Sequence, residues 1–210
     1  MTRLSMTERA ALCDTALQVG ADGPTLCEGW TVKDLVVHLL VRERRPAAVG
    51  IVVAPLAGLT ARSSARIART DFPVLVERLR GGPPPLSPFR VPRVDALANT
   101  LEYLVHHEDV RRAVDGWAPR RLGDDTERLL WTSLRPMARR LVRRAPVGVR
   151  IEDTLSGSTA ELRRGDSSVT LRGLPSELAL YLFGRTAHAR VDAEGREEDV
   201  ARLGGAALGI

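Results

Sequence analysis

The stretch Asn99-Thr-Leu-Glu-Tyr-Leu-Val-His-His-Glu-Asp-Val-Arg-Arg112 carries most of the information about the fold of this chain. It contains no proline or glycine, and its apolar residues recur at helical spacing. Glu102 and His106 stand four residues apart, so a helix places them one above the other, with Cβ atoms about 5–6 Å apart. A carboxylate oxygen and an imidazole nitrogen at that separation can bind one metal ion.

The polar residues of this helix are predicted to lie on two different faces. At about 100° per residue, Glu102, His106 and Asp109 follow one flank of the apolar stripe, and His107 is predicted to face solvent. An ordinary surface helix with mixed charges is an equally good interpretation of this stretch alone. Another polar residue elsewhere in the chain has to decide between the two.

His38 is that residue, in the segment Leu35-Val-Val-His-Leu-Leu-Val41. The segment is predicted to be a helix with Thr31 as its N-cap, and Trp30 just before it is expected to anchor the core. Because the helix is apolar over nearly its whole circumference, it should be buried. A buried imidazole without a partner costs about 1–3 kcal/mol. We therefore expect His38 either to bond a backbone carbonyl or to join Glu102 and His106 around an ion.

The spacing of apolar residues changes near residue 145. Before it, helices are predicted to begin near Ser5, Thr31, Asp71, Arg93 and Asp124. After Pro146, alternation predicts three short strands, then a helix that starts at Pro175 and stops at Gly184, then a return to alternation. We predict a mainly α protein, with a helical bundle over residues 1–145 and a small α+β domain over residues 146–210.

Composition narrows the class of protein. With 44% hydrophobic and 27% charged residues, the 210-residue chain fits a globular protein. It contains no run of about 18 apolar residues and no signal-peptide pattern, so we expect a cytoplasmic location and no membrane partner. The net charge of +5 comes almost wholly from arginine. Because the arginines alternate with acids, nucleic acid is not the expected partner, although the patch 139–144 keeps polyanion binding as an alternative.

Two cysteines, Cys13 and Cys27, form no C-x-x-C pair and no disulfide framework. We expect both thiols to be reduced and at least half-buried. Because Cys27 is close in sequence to the His38 segment, a reactive role for it stays open.

Three stretches together resemble a known family. Gly29-Trp-Thr-Val-Lys-Asp-Leu-Val-Val-His-Leu39 resembles the G-W-[ST]-x-x-D-L-x-x-H-L pattern of the DinB-like superfamily, in particular its actinobacterial mycothiol-dependent maleylpyruvate isomerase family. Glu102 to Asp109 resembles the second pattern of that family, E-x-x-x-H-x-x-D. The stretch from Gly173 to Arg185 resembles its C-terminal domain, which contains L-x-G-R. Residues 46–92 match no part of the family.

The resemblance implies a four-helix bundle that binds a divalent metal, usually zinc, through His38, Glu102 and His106. In the family the metal holds a low-molecular-weight thiol, mycothiol, and an arginine of the C-terminal domain contributes to catalysis. Arg185 matches that arginine. The implied function is a thiol-dependent transferase or isomerase that acts on a small electrophilic substrate through a metal-bound thiolate. The expected partners are that substrate and the thiol, and the expected state is a monomer or homodimer.

Chemistry supports this set of residues. Three protein ligands on Zn²⁺ leave a fourth position for a thiol or a water, as in catalytic zinc sites. Asp109 is expected to accept a hydrogen bond from a ligand, and Arg42, one turn beyond His38, to pair with an anionic substrate or to cover the helix end. Two alternatives stay open: a non-catalytic metal- or ligand-binding protein of the same fold, and a metal-dependent hydrolase.

Overall fold

Helices dominate the fold, with a small sheet in the C-terminal part. The computed structural model describes residues 3–44, 67–84 and 99–209. The α-helices in these ranges are α1 (Arg3–Val19), α2 (Val32–Arg44), α3 (Phe72–Arg80), α4 (Thr100–Arg111), α5 (Asp124–Leu141), α6 (Pro175–Leu182) and α7 (Glu197–Gly204). The strands are β1 (Gly148–Asp153), β2 (Thr159–Arg163), β3 (Ser168–Gly173) and β4 (Asp192–Glu194), and a 3-10 helix covers Thr186–His188. The predicted mainly α fold with a C-terminal α+β part is confirmed. None of the described helices is both long and apolar enough to cross a membrane.

Local signals explain where α2 begins. The Thr31 hydroxyl and amide donate to Asp34 Oδ2 over 2.6 and 3.0 Å, and the Asp34 amide donates back to Thr31 Oγ1 over 3.3 Å. These reciprocal bonds form a capping box, which satisfies amides that the first turn leaves unpaired. The bonds that the carboxylate accepts from the Thr31 hydroxyl and amide also lower the pKa of Asp34, because they favour its charged form. The predicted start of the next long helix near Arg93 lies outside the described residues, and α4 is described from Thr100.

By its contacts the chain divides into two units, Met1–Ala118 and Pro119–Ile210. In the first unit α1 packs against α3 and α4, and α2 packs against α3. The core of this unit consists of fully buried side chains from the four helices described in it, among them Leu12, Leu35, Leu39, Leu75, Leu79 and Tyr103. Each such leucine contributes about 1.5–3 kcal/mol through removal from water.

Helix α2 is buried as its apolar composition predicts. Leu35, Val36 and Leu39 have no exposed surface, and Val37 and Leu40 have almost none. His38 is the exception within this run, because it lies with Asp34 and Arg42 on a face of α2 that solvent still reaches. The expectation of a fully buried imidazole was therefore wrong, although the burial of the helix that carries it is confirmed.

A charged network that the sequence did not predict lies inside the first unit. Arg9 on α1 forms an ion pair with Glu43 on α2 and donates to Tyr103 Oη on α4 over 2.9 Å. Tyr103 in turn donates to Glu43. All three side chains are buried, so each charge depends on the others for its stability. The network joins three helices at one point.

The second unit contains a four-stranded sheet with the order β2-β1-β3-β4. β1 pairs in parallel with β3, and the other two pairings are antiparallel. Helix α5 packs against α6 and β2, and α7 packs against β3. The three predicted strands after residue 146 are present. Of the second stretch of predicted alternation, 185–192, three residues form the 3-10 helix and Asp192 begins β4, and α7 was not predicted.

The division between the units falls at residue 118, earlier than the boundary near 145 expected from periodicity. Helix α5 has the apolar spacing of a bundle helix, but its buried face packs against α6 and β2. Glu127 on α5 also accepts hydrogen bonds from both the amide and the hydroxyl of Ser176 on α6. Periodicity shows that a helix has a buried face but not which element covers it, and this is why the two boundaries differ.

Candidate metal centre

Two helices of the first unit bring three potential ligands together. Glu102 and His106 lie one turn apart on α4, and His38 lies on α2. Glu102 Oε1 is 3.3 Å from His106 Nε2 and 3.6 Å from His38 Nε2. One ligand atom from each of the three residues lies within 4.8 Å of the other two. The sequence-predicted ligands are therefore neighbours in space.

The geometry suits a divalent cation. Zinc holds nitrogen and oxygen ligands at about 2.0–2.2 Å, so two ligands of a tetrahedral ion stand about 3.3–3.6 Å apart. The two measured separations to Glu102 Oε1 fall at the limits of that interval. The donors also match, because two imidazoles and a carboxylate are a common zinc set. The donor atoms of His38 and His106 lie within 4.8 Å of each other.

Glu102 is held in its charged form by its neighbours. Burial alone would raise its pKa, but hydrogen bonds from His106 and His38 and the charge of Arg42 hold that pKa well below its usual range. Arg42 Nε lies 3.3 Å from Glu102 Oε1, and the Arg42 guanidinium also donates to Asn99. Arg42 therefore contacts a predicted ligand directly.

Asp109 orients His106 from the other side of the ring. His106 Nδ1 lies 2.9 Å from Asp109 Oδ2, and the carboxylate is fully buried. The carboxylate can accept a proton held on Nδ1, and loss of the Nε2 proton on metal binding would then leave a lone pair on the side of Glu102 and His38. Burial opposes the charged imidazolium, but bonds with Asp109, Cys27 and Glu102 raise the pKa of His106 well above its usual range.

Solvent reaches the three residues from the His38 side. The exposed fractions of the side chains are 38% for His38, 19% for Glu102 and 11% for His106. The ring of Trp30 lies 5.0 Å from the ring of His38 and is itself partly exposed. Trp30 is therefore not the core anchor that the sequence suggested. It borders the accessible side of the three predicted ligands.

His107 does not face solvent, and that prediction was wrong. Its side chain is buried, with Nδ1 3.1 Å from Glu8 Oε2 and Nε2 3.0 Å from Thr15 Oγ1. Both partners lie on α1, which packs against α4. His107 thus ties two helices together on the face of α4 away from His38.

Cys27 is the residue near this centre whose position the sequence left open. It lies in the loop between α1 and α2 and donates through Sγ to Asp109 Oδ2 over 3.2 Å. Its sulfur is 4.0 Å from His106 Nδ1. The hydrogen bond between Cys27 and Asp109 joins positions 82 residues apart. Only the fold brings them together, and no spacing rule would have found the pair.

Arg185 lies in the second unit. It follows Gly184, whose positive φ of 89° marks the sharp turn expected after α6. Its guanidinium donates to the Phe183 carbonyl over 2.6 Å. The catalytic role that the resemblance implies for Arg185 stays a prediction.

Comparisons with known proteins bear on the fold. No protein-family model matches the chain, and no curated protein matches it in sequence. Two solved structures match most of it: a mycothiol-dependent maleylpyruvate isomerase, and a histidine-to-alanine mutant of such an isomerase. They share 17% and 15% sequence identity with the chain, at TM-scores of 0.55 and 0.54. In both cases the match covers 91% of this chain and 90% of the other.

The chain thus shares the fold of the isomerase over nearly its whole length. The resemblance inferred from the three sequence stretches is confirmed at the level of the fold. At this identity the likeness shows the fold and not the activity.

Proposed function

We propose that the first unit is a DinB-like four-helix bundle that binds one divalent metal ion, in the first place zinc, through His38, Glu102 and His106. The observation that carries the proposal is the convergence of one donor atom from each residue within 4.8 Å. The separations from the shared carboxylate oxygen, 3.3 and 3.6 Å, suit a tetrahedral ion. The bond in which the Asp109 carboxylate accepts from His106 Nδ1 is of the kind found behind metal-binding histidines.

We further propose that the protein is a thiol-dependent transferase or isomerase with mycothiol as its co-substrate. The proposal is supported by the shared fold with a mycothiol-dependent isomerase and by the three-ligand set. A divalent ion lowers the pKa of a thiol bound to it and so supplies nucleophilic sulfur at neutral pH. Because His38 is partly exposed, solvent and small molecules can approach from its side.

The residues of the chain have separate tasks in this proposal. His38, Glu102 and His106 hold the ion, and Asp109 keeps the proton of His106 on Nδ1. Arg42 holds Glu102 charged and offers donors to an anionic substrate group. Arg185 is proposed to steady a substrate carboxylate, because a guanidinium can donate two parallel hydrogen bonds to it.

Cobalt substitution tests the thiol step. Cobalt in place of zinc gives visible absorption bands that change when sulfur joins the coordination sphere. Addition of millimolar mycothiol to the cobalt protein should change this spectrum. If mycothiol leaves the spectrum unchanged, the transferase proposal fails and the non-catalytic metal-binding alternative replaces it.

Turnover tests the role of Arg185. With maleylpyruvate as the first substrate to try, Arg185→Ala should lower thiol-dependent turnover without a change in metal content. Arg164→Ala is the matched control, because Arg164 belongs to the same unit and its side chain is 93% exposed. Equal turnover in Arg185→Ala and the unsubstituted protein would remove Arg185 from the proposal.

A further inference from the structure

A second group of potential ligands surrounds the other nitrogen of His106. Cys27 Sγ is 3.2 Å from Asp109 Oδ2 and 4.0 Å from His106 Nδ1, and Nδ1 is 2.9 Å from Oδ2. All three donor atoms lie within 4.8 Å of one another. They belong to the loop between α1 and α2 and to α4, and His38 and Glu102 are not among them.

The shape of this triangle suits a cation. A tetrahedral zinc ion with sulfur at about 2.3 Å and nitrogen and oxygen at about 2.0–2.2 Å separates its ligands by about 3.3–3.6 Å. The measured separations of 2.9 and 3.2 Å lie below that interval and the separation of 4.0 Å lies above it. Each has to change by less than about 1 Å to reach it. A thiolate, an imidazole and a carboxylate form a donor set that thiophilic divalent ions accept.

The surrounding backbone holds the triangle in place. The Leu26 amide donates to the Asp109 carbonyl over 3.0 Å, which fastens the loop to α4 beside the cysteine. The Cys27 carbonyl accepts from the Trp30 amide over 2.9 Å, and the Cys27 amide donates to Thr25 Oγ1 over 3.2 Å. Asp109 is fully buried, whereas Cys27 is only partly buried and gives an ion a way in.

We propose that Cys27 Sγ, Asp109 Oδ2 and His106 Nδ1 form a second cation position, selective for thiophilic divalent ions such as cadmium and zinc. This position goes beyond the proposed function and does not depend on it. The two positions use opposite nitrogens of one ring, and a ring with ions on both must lose both of its N–H protons. We therefore expect the two positions to compete for His106.

The proton balance of binding follows from the geometry. When an ion binds at Nδ1, the proton of that nitrogen moves to Nε2. Glu102 Oε1, 3.3 Å away, then accepts a hydrogen bond from the Nε2–H group. The thiol proton of Cys27 passes to solvent, and the sulfur binds as thiolate. One proton is released for each ion bound to a neutral His106.

The test uses the full-length His38→Ala protein, because it removes the competing position and keeps the second triangle whole. Titration with cadmium should produce the ultraviolet thiolate-to-cadmium charge-transfer band, which saturates at one ion per chain. His38→Ala/Cys27→Ser should lack the band. His38→Ala/Cys13→Ala should retain it, because Cys13 is fully buried and donates to the Val76 carbonyl instead.

Asp109→Asn on the same His38→Ala background separates a built site from a lone reactive thiol. Loss of an outer partner of a metal ligand weakens affinity about 10–100-fold, so the loss of a ligand should weaken cadmium binding at least about tenfold. Circular dichroism checks that the variant remains folded. The proposal is overturned if the band is absent from the His38→Ala protein or if it survives the Cys27→Ser substitution. It is also overturned if a folded Asp109→Asn protein binds cadmium with unchanged affinity. The failure of the His38 site would leave all three readouts untouched, because His38 is missing from every protein compared.

Discussion

At the scale of single residues, His106 links the two groups of potential ligands, because each ring nitrogen has its own set of partners. Nε2 lies near Glu102 and His38, and Nδ1 lies near Asp109 and Cys27. The partners on α4 could be predicted from spacing, since residues three and four apart share a helix face. Cys27 could not be predicted, because its contact with Asp109 depends on how the loop packs against α4.

Asp109→Asn should weaken metal binding by the first site. The amide keeps the shape of the carboxylate but removes the charge that holds the His106 proton on Nδ1, and such losses cost about 10–100-fold in metal affinity. Isothermal titration with zinc on a Cys27→Ser background measures the effect at the His38 site alone. Asp115→Asn, at an exposed position just beyond α4, should bind zinc like the parent. Equal affinity in Asp109→Asn and its parent would remove Asp109 from the centre.

The two cysteines should react very differently with a thiol reagent. Burial raises the pKa of Cys13 to about 12, against the smaller opposing effects of Arg80 and Arg9. Its sulfur is therefore protonated and also inaccessible, whereas Cys27 is partly exposed. Iodoacetamide at pH 8 should add one label to the native protein, at Cys27, and two labels in denaturant. Two rapid additions to the native protein, measured by mass spectrometry, would contradict this burial of Cys13.

At the scale of elements, α4 shows where periodicity misleads. Glu102 and Arg111 are its only residues that are not buried among the twelve from Thr100 to Arg111, although five of the last six residues are polar or charged. A helical wheel assigns such residues to solvent, and His107 was assigned there. Their burial is possible because α1 supplies Glu8 and Thr15 to His107, and Arg112 pairs with Glu108. The partners of His107 are distant in sequence, and the partner of Arg112 is a charged residue. A pattern of hydrophobic residues does not reveal either kind of partner.

Helix α6 depends on a neighbouring helix for its N-terminal cap. Its N-cap position is Leu174, whose side chain makes no capping bond. Glu127 on α5 replaces that cap by accepting from the Ser176 amide over 2.9 Å and from the Ser176 hydroxyl over 2.8 Å. A carboxylate at a helix N-terminus also interacts favourably with the helix dipole. This long-range cap explains why α5 belongs with the second unit.

Glu127→Ala should destabilise the second unit by about 1–3 kcal/mol, the cost of leaving buried hydrogen-bonding groups without partners. Native-state hydrogen exchange of the α6 amides measures that loss directly in this unit. The matched control is Asp125→Ala on the same helix, because Asp125 is 99% exposed and its substitution should change stability by less than about 0.5 kcal/mol. Equal exchange rates in the two variants would show that Glu127 is not the cap.

The same carboxyl predicts a pH effect. Burial raises the pKa of Glu127; the bonds from Ser176 oppose the shift, and the charges of Asp153 and Glu177 add to it. The folded state therefore binds the Glu127 proton more tightly than the unfolded state does. The stabilisation that Glu127 contributes is fully present below its pKa in the unfolded state, near 4.5. It declines as the pH rises through the higher pKa that Glu127 has in the folded state. The Glu127→Gln protein should lack this decline. If the protection of the α6 amides from exchange falls equally with pH in the Glu127→Gln protein and its parent, the pH effect does not come from Glu127.

At the scale of the whole molecule, the fold is retained where most of the sequence is not. A shared fold over 91% of the chain at 17% identity agrees with a prediction that used only three short stretches. Those stretches were informative because a capped apolar helix with one histidine, and a helix with Glu and His four apart, constrain both fold and chemistry. The unit boundary, α7 and the Arg9–Glu43–Tyr103 network were missed because each depends on contacts between distant segments.

The most direct test of the central claim is the metal content of the protein purified without a histidine tag. Elemental mass spectrometry after zinc loading and desalting should find one ion per chain in the Cys27→Ser protein, which removes the proposed second position. His38→Ala, Glu102→Ala and His106→Ala on that background should each lose stoichiometric zinc, while His188→Ala in the other unit should keep it. Equal zinc in the His38→Ala protein and its parent would contradict the three-ligand centre.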